Sequence, residues 1–143
     1  MTNICKTPFG TFAPIYKERR FWVRPLVGKA CKEKNWQLPD DKFEDGLFEY
    51  WLENRAEYNI GIVAGSLFAD GTRLGFLDID HDKYTELGRV LLGDPACIRF
   101  GKKGAVIPFR YLGGLKVPHK EKLRVSDPDK EGVAELFFSN AYC

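Results

Sequence analysis

Apolar residues in this chain recur every second position in some stretches and every third or fourth in others, and the two spacings divide it into elements. Strand-like runs open the chain over residues 11–16 and 21–23. A loop carrying Lys29, Lys32, Lys34 and Trp36 follows, up to Pro39. Asp41-Lys42-Phe43-Glu44 has the pattern of a capping box. The helix it opens carries Phe43, Leu47 and Trp51 on one stripe, with Phe48 and Leu52 alongside, and such a stripe reads as core. Strands are expected over 59–63 and 74–80, joined by an Asp70-Gly71 turn. Asp82 is placed to cap a second helix bearing Tyr84, Leu87, Val90 and Leu91, which stops at Gly93. A hairpin over 96–111 turns at Gly101-Lys102-Lys103-Gly104, and an apolar strand over 132–138 closes the sheet. Residues 116–130 are charged and Pro-containing, and read as a mobile connection.

This order gives a mixed α/β (α+β) fold in one domain, built on a mixed or antiparallel sheet. An N-terminal α/β unit spans residues 1–57, and an RRM-like half spans 58–143.

The strand Gly75-Phe76-Leu77-Asp78-Ile79-Asp80 carries the most informative polar residues. Side chains alternate faces along a strand, so Asp78 and Asp80 point the same way as Phe76, and Leu77 and Ile79 point the other. Two neighbouring carboxylates at the end of an apolar strand repel each other and lose solvation. A divalent cation relieves both costs, and hard oxygen ligands suit Mg²⁺ or Mn²⁺ rather than zinc. The closing strand adds Glu135, which shares a face with Val133 and Phe137, an odd place for a charge without a partner. Together Asp78, Asp80 and Glu135 are expected to form a three-carboxylate cage. The alternatives are an acidic loop starting at Asp80-His81-Asp82 and an edge strand whose Glu135 reaches water.

Between these acidic strands lies the basic hairpin. Arg99 and Arg110 sit inside apolar strands, and the turn adds Lys102 and Lys103. Glycines let a backbone approach phosphate and cations neutralise it, so these four residues are candidates to hold a metal-bound triphosphate. Lys29 and Lys34 could track a nucleic-acid backbone and Trp36 could stack on a base, although surface lysines and a hydrophobic plug are equally simple readings. His81 reads as a helix-start residue, His119 as a surface residue and Cys97 as a small buried hydrophobe.

Composition narrows the classes. The chain has 143 residues, 44% hydrophobic and 14% aromatic, which suits one packed core and excludes a disordered chain. Net charge is only +2, so any nucleic-acid contact must come from a local patch. Four scattered cysteines and two histidines give poor zinc spacing. No signal peptide or long apolar span appears, so the expectation is a cytoplasmic protein with reduced thiols and no membrane partner.

The chain resembles the N-terminal catalytic domain of bifunctional DNA primase/polymerases, in the archaeo-eukaryotic primase superfamily. Phe12-Ala13-Pro14-Ile15-Tyr16 is similar to the family's opening strand, and residues 29–37 resemble its Lys-Xaa-Pro…Gly-Trp stretch. Asn59-Ile60-Gly61-Ile62-Val63-Ala64-Gly65 is close to its Asn-Ile-Gly-Ile…Gly signature. Leu77-Asp78-Ile79-Asp80 matches the first catalytic motif, and Val133-Ala134-Glu135-Leu136 looks like the third. Two features depart from the pattern. The second motif commonly holds a histidine where this chain has Val106 or Ile107; some phage-type members carry an aromatic-Arg pair instead, which resembles Phe109-Arg110. The family also continues past the third motif, whereas this sequence stops at Cys143, as expected of a shortened form.

The resemblance implies template-directed nucleotidyl transfer of the primase or DNA polymerase type. Asp78, Asp80 and Glu135 would hold two divalent cations. Arg99, Lys102, Lys103 and Arg110 would neutralise the triphosphate. Implied partners are nucleoside triphosphates, a DNA or RNA template-primer and a helicase domain or protein, in a prokaryotic cell or its phage. The alternative is a degenerate relative that binds nucleic acid or a replication partner without catalysis. A phosphohydrolase is a further rival, since Phe-Leu-Asp-Ile-Asp superficially resembles a haloacid-dehalogenase start. That chemistry wants Gly-Thr after the second aspartate, where this chain has His81-Asp82.

Overall fold

Residues expected as a strand over 11–16 lie instead within helix α1 (Pro8–Glu18) in the computed structural model, which describes residues 6–123 and 134–143. Pro8 sits in the first turn, where a missing N–H costs nothing. Phe9 and Ala13, four apart, are fully buried, so helical rather than alternating spacing governs this segment. The N–H groups of Phe9 and Gly10 donate to the carbonyls of Tyr58 (3.0 Å) and Ala56 (2.9 Å), satisfying donors that a helix start leaves open. Gly10 permits that approach, because a Cβ there would stand 2.9 Å from the Ala56 Cβ.

Strand β1 (Val23–Val27) lies between β2 (Ala30–Cys31) and β3 (Asn59–Ile62) in a three-stranded antiparallel sheet. The expected single sheet is therefore two. β3 joins β1, with Val23 opposite Ile62, because Ile60 and Ile62 pack against the cluster of Phe9, Ala13, Val23 and Trp51. β3, grouped by the sequence reading with residues 58–143, pairs in the first sheet. Trp51 lies on helix α2 (Leu47–Asn54), and Phe43 and Leu47 join the same cluster as the stripe predicted. The capping box does not form. Asp40–Lys42 makes one 3-10 turn, and α2 begins after Gly46, which has a positive φ of 86° and no side-chain cap.

The second sheet is antiparallel, in the order β5-β6-β4-β8-β7. Its centre is β4 (Thr72–Ile79), flanked by β6 (Ala105–Leu112) and β8 (Ala134–Phe137), with β5 (Arg99–Phe100) and β7 (Lys120–Leu123) at the edges. β7 occupies part of the stretch expected as a mobile connection. Gly132 and Val133, expected in the closing strand, lie outside the described residues, as does most of the rest of that connection.

Helix α3 (Thr85–Leu91) covers one face of this sheet, where Leu77, Ile79 and Ile107 are buried. Gly88 makes the contact, since a Cβ there would stand 2.4 Å from Ile79 Cδ1. The expected apolar stripe of α3 is turned outward: Leu87, Val90 and Leu91 are exposed, while Tyr84 and Leu92 pack inward. Asp82 does not cap this helix either; its Oδ1 accepts the Gly104 N–H at 2.7 Å.

The opposite face carries Leu74 and Phe76 and turns toward the first sheet, packing with Phe21, Ile62 and Phe68. The last residues stitch the sheets together. Ala64 N–H donates to the Ala141 carbonyl (2.8 Å), and Ile62 and Cys143 exchange two backbone bonds (2.8 and 3.0 Å). Among the described residues no helix is long and apolar enough to cross a membrane.

Candidate metal and phosphate site

A single row across the second sheet brings Arg99, Asp78, Glu135 and Lys122 together. Arg99 on β5 pairs with Val106 on β6, Val106 with Asp78 on β4, Asp78 with Glu135 on β8, and Glu135 with Lys122 on β7. Directly opposed residues share a face, so the row reads cation, valine, carboxylate, carboxylate, cation. The adjacent row on the same face contains Pro108, Phe76, Phe137 and Lys120. On β6, Val106 is the residue facing the carboxylates, and Ile107 is buried on the α3 side.

Asp78 is half-buried between apolar rows. Burial raises its pKa above the ordinary carboxylate range, the nearby charges of Asp80 and Glu135 raise it further, and Arg99 acts in the opposite direction. Asp80 is exposed just past the end of β4. Glu135 accepts an ion pair from Lys120, Nζ to Oε1 at 3.2 Å. Among the described residues no three His, Cys, Asp or Glu side chains are grouped to hold a metal ion. The three expected ligands are thus not grouped as a cage: Asp78 and Glu135 are cross-strand partners, Asp80 lies just past the strand end, and Glu135 is engaged by a lysine.

The basic turn stands beside this pair for a steric reason. Gly104 has φ +68°, and a Cβ there would fall 1.7 Å from the Ile79 carbonyl oxygen, so only glycine lets the turn press against the end of β4. Gly101 N–H donates to the Gly104 carbonyl (3.2 Å) and closes the turn. A cleft of about 520 Å³ opens here, lined by Asp78, Arg99, Lys102, Lys103, Lys29 and Tyr142 among others. It runs into an apolar cleft of about 790 Å³ between the sheets, with Phe76, Arg99, Val106 and Cys143 common to both.

The remaining candidates are dispersed. Arg110 shares the Asp78 face but sits opposite Leu74, four residues and roughly 13 Å along the strand. Its guanidinium pairs with Asp70 (3.1 Å) and lies over the Phe68 ring (4.2 Å). Trp36 packs edge-on against Tyr142, ring centroids 4.7 Å apart, and its carbonyl accepts from Arg24. Lys34 is exposed in the loop after β2.

Sequence reasoning missed Tyr142 and Lys120. The Tyr142 hydroxyl accepts the Cys31 N–H (2.9 Å), which brings the chain end into the cleft wall. No local pattern announces a contact spanning that much chain. Lys120 could have been found only from the pairing of β7 with β8. Comparison with protein-family models, with curated proteins and with solved structures found no match to this chain.

Proposed function

We propose that this chain is a nucleotidyl-transfer domain of the primase-polymerase kind, acting on metal-bound nucleoside triphosphates along a DNA or RNA template. The observation that carries the reading is Asp78, the cross-strand partner of Glu135, which lines a cleft together with Arg99, Lys102 and Lys103. Two half-buried carboxylates of like charge, with the Asp78 pKa raised by burial and by the charges of Asp80 and Glu135, make a donor set that suits a hard divalent cation. Asp78, Glu135 and the neighbouring Asp80 would hold Mg²⁺ or Mn²⁺. Such ions, when bound, activate a 3′-hydroxyl as nucleophile and stabilise charge on departing pyrophosphate.

The chain's own residues supply binding and orientation. Lys102 and Lys103 neutralise phosphate oxygens from a turn that Gly104 and Asp82 fix against the carboxylate strand. Arg99, across Val106 from Asp78, places a third cation on the same face. Lys29 reaches the cleft from the turn between β1 and β2. A helicase domain or protein is the expected partner, within a prokaryotic cell or its phage.

The test is extension of a primed template with labelled nucleotides and Mg²⁺ or Mn²⁺. Incorporation by the unmodified chain and its loss in Asp78→Asn support the reading; nucleotide binding without incorporation under either metal contradicts it. A second reading has an observation of its own. Glu135 is held by Lys120 and Val106 stands where the family has histidine, as suits a non-catalytic relative that binds nucleic acid or a replication partner. That reading expects template binding that is indifferent to Asp78→Asn.

A further inference from the structure

Lys120 is the cation that the carboxylate pair already has. Its direct cross-strand partner is Phe137, not Glu135, yet its Nζ reaches diagonally to Glu135 Oε1 at 3.2 Å. The ammonium also stands 5.7 Å from the Phe137 ring centroid. Lys122 is the residue directly opposite Glu135. Resting on the reading of Asp78 and Glu135 as a divalent-cation site, we propose that Lys120 is the resident counter-cation of Glu135 and is exchanged for the divalent ion when that ion binds.

Lysine and divalent ion compete for a single carboxylate. Asp78 and Glu135 face each other, and their repulsion is offset by neighbouring cations, Arg99 acting on Asp78 and Lys120 on Glu135. Lys120 relieves it from the β7 side, through its ion pair with Glu135. A divalent ion about 2.1 Å from a Glu135 oxygen, in company with Asp78, repels an ammonium held 3.2 Å from Oε1, so the two cations compete for that carboxylate. Lys120 can leave at little cost. Its side chain is 44% exposed, so the freed ammonium meets water while the stem stays over Phe137. The ion pair therefore sets a threshold: the site closes only when a divalent ion outcompetes the lysine.

The experiment is calorimetric titration of Mn²⁺ into the unmodified chain and into Lys120→Met, Lys122→Met, Glu135→Gln and the Lys120→Met/Glu135→Gln double variant. Lys122→Met removes the same charge from the same face, and so measures the general electrostatic gain. Lys120→Met is expected to bind Mn²⁺ roughly two- to five-fold more tightly than the unmodified chain, the fold-change an exposed ion pair is worth. That gain should exceed the gain from Lys122→Met and vanish in the Glu135→Gln background. Equal gains from both lysine variants, or weaker binding by Lys120→Met, overturn the exchange while leaving the metal site standing. Absence of Mn²⁺ binding by the unmodified chain removes the site itself, and the exchange with it.

Discussion

Two buried charges in this molecule are treated in opposite ways. Arg24, in the first sheet, is 1% exposed and fully provided for. Its guanidinium donates to Asp40 (2.7 Å) and to the carbonyls of Val23, Trp36 and Leu38 (2.8, 2.7 and 2.7 Å), and it stacks over Phe43 (4.6 Å). Asp78, in the second sheet, is half-buried beside two charges of its own sign. The first arrangement rigidifies a loop against a core and leaves nothing for a ligand to improve. The second leaves electrostatic repulsion that only an added cation removes fully. Charge satisfied within the chain marks scaffold, and charge left in conflict on an open face marks the site.

The strongest way to break that contrast is Arg24→Ala. It leaves three carbonyls without their donor and Asp40 to its longer contact with Lys17 (3.4 Å), and should cost about 3 kcal/mol in urea unfolding, while metal and nucleotide binding by the folded protein stay unchanged. A loss below about 1 kcal/mol would show that Arg24 is not the anchor its contacts suggest.

Lys103→Ala sharpens the other side. A lost charge-assisted bond to phosphate is worth about 1.5–3 kcal/mol, roughly ten- to a hundred-fold in nucleotide affinity by calorimetry at fixed Mn²⁺. Arg110→Ala is the matched control. Since Arg110 is committed to Asp70 and Phe68, its removal should lower stability by less than about 1 kcal/mol and leave nucleotide affinity unaltered. Equal losses of affinity in the two variants would return Arg110 to the phosphate site.

The smallest effect is a pH dependence. Because folding raises the Asp78 pKa, the folded state binds more protons than the unfolded one between the ordinary carboxylate pKa and the raised value. Stability on this account is present below that window and is lost as pH rises through it. Asp78→Asn should therefore flatten the decline in melting temperature with rising pH and make the metal-free protein slightly more stable at neutral pH. A steeper decline in the variant would mean that Arg99 outweighs the burial and repulsion around Asp78.

The sequence showed the second sheet more clearly than the first. Alternation identified β4, β6 and β8, because an apolar face buried under α3 and an open face with Asp78, Val106 and Glu135 leave a period-two pattern. It could not show that β3 belongs to β1, since pairing is a long-range choice made by the packing of Ile60 and Ile62. Helix α1 was misread because its segment looks strand-like, although Phe9, Ala13 and Tyr16 already have helical spacing. The carboxylates were legible as candidates, and the Asp78–Glu135 opposition follows from strand register. Lys120 and Tyr142 were not, because each reaches the site through a pairing that no short motif encodes.

The account stands on the carboxylate pair, and one measurement reaches it directly: thermal unfolding of the unmodified chain and of Asp78→Asn/Asp80→Asn, each with and without Mn²⁺. At about 100 times its dissociation constant, Mn²⁺ should stabilise the unmodified fold by roughly 2.7 kcal/mol. The double variant should show no such response. A metal-induced rise in melting temperature that survives the double substitution would place the ion elsewhere and contradict the account.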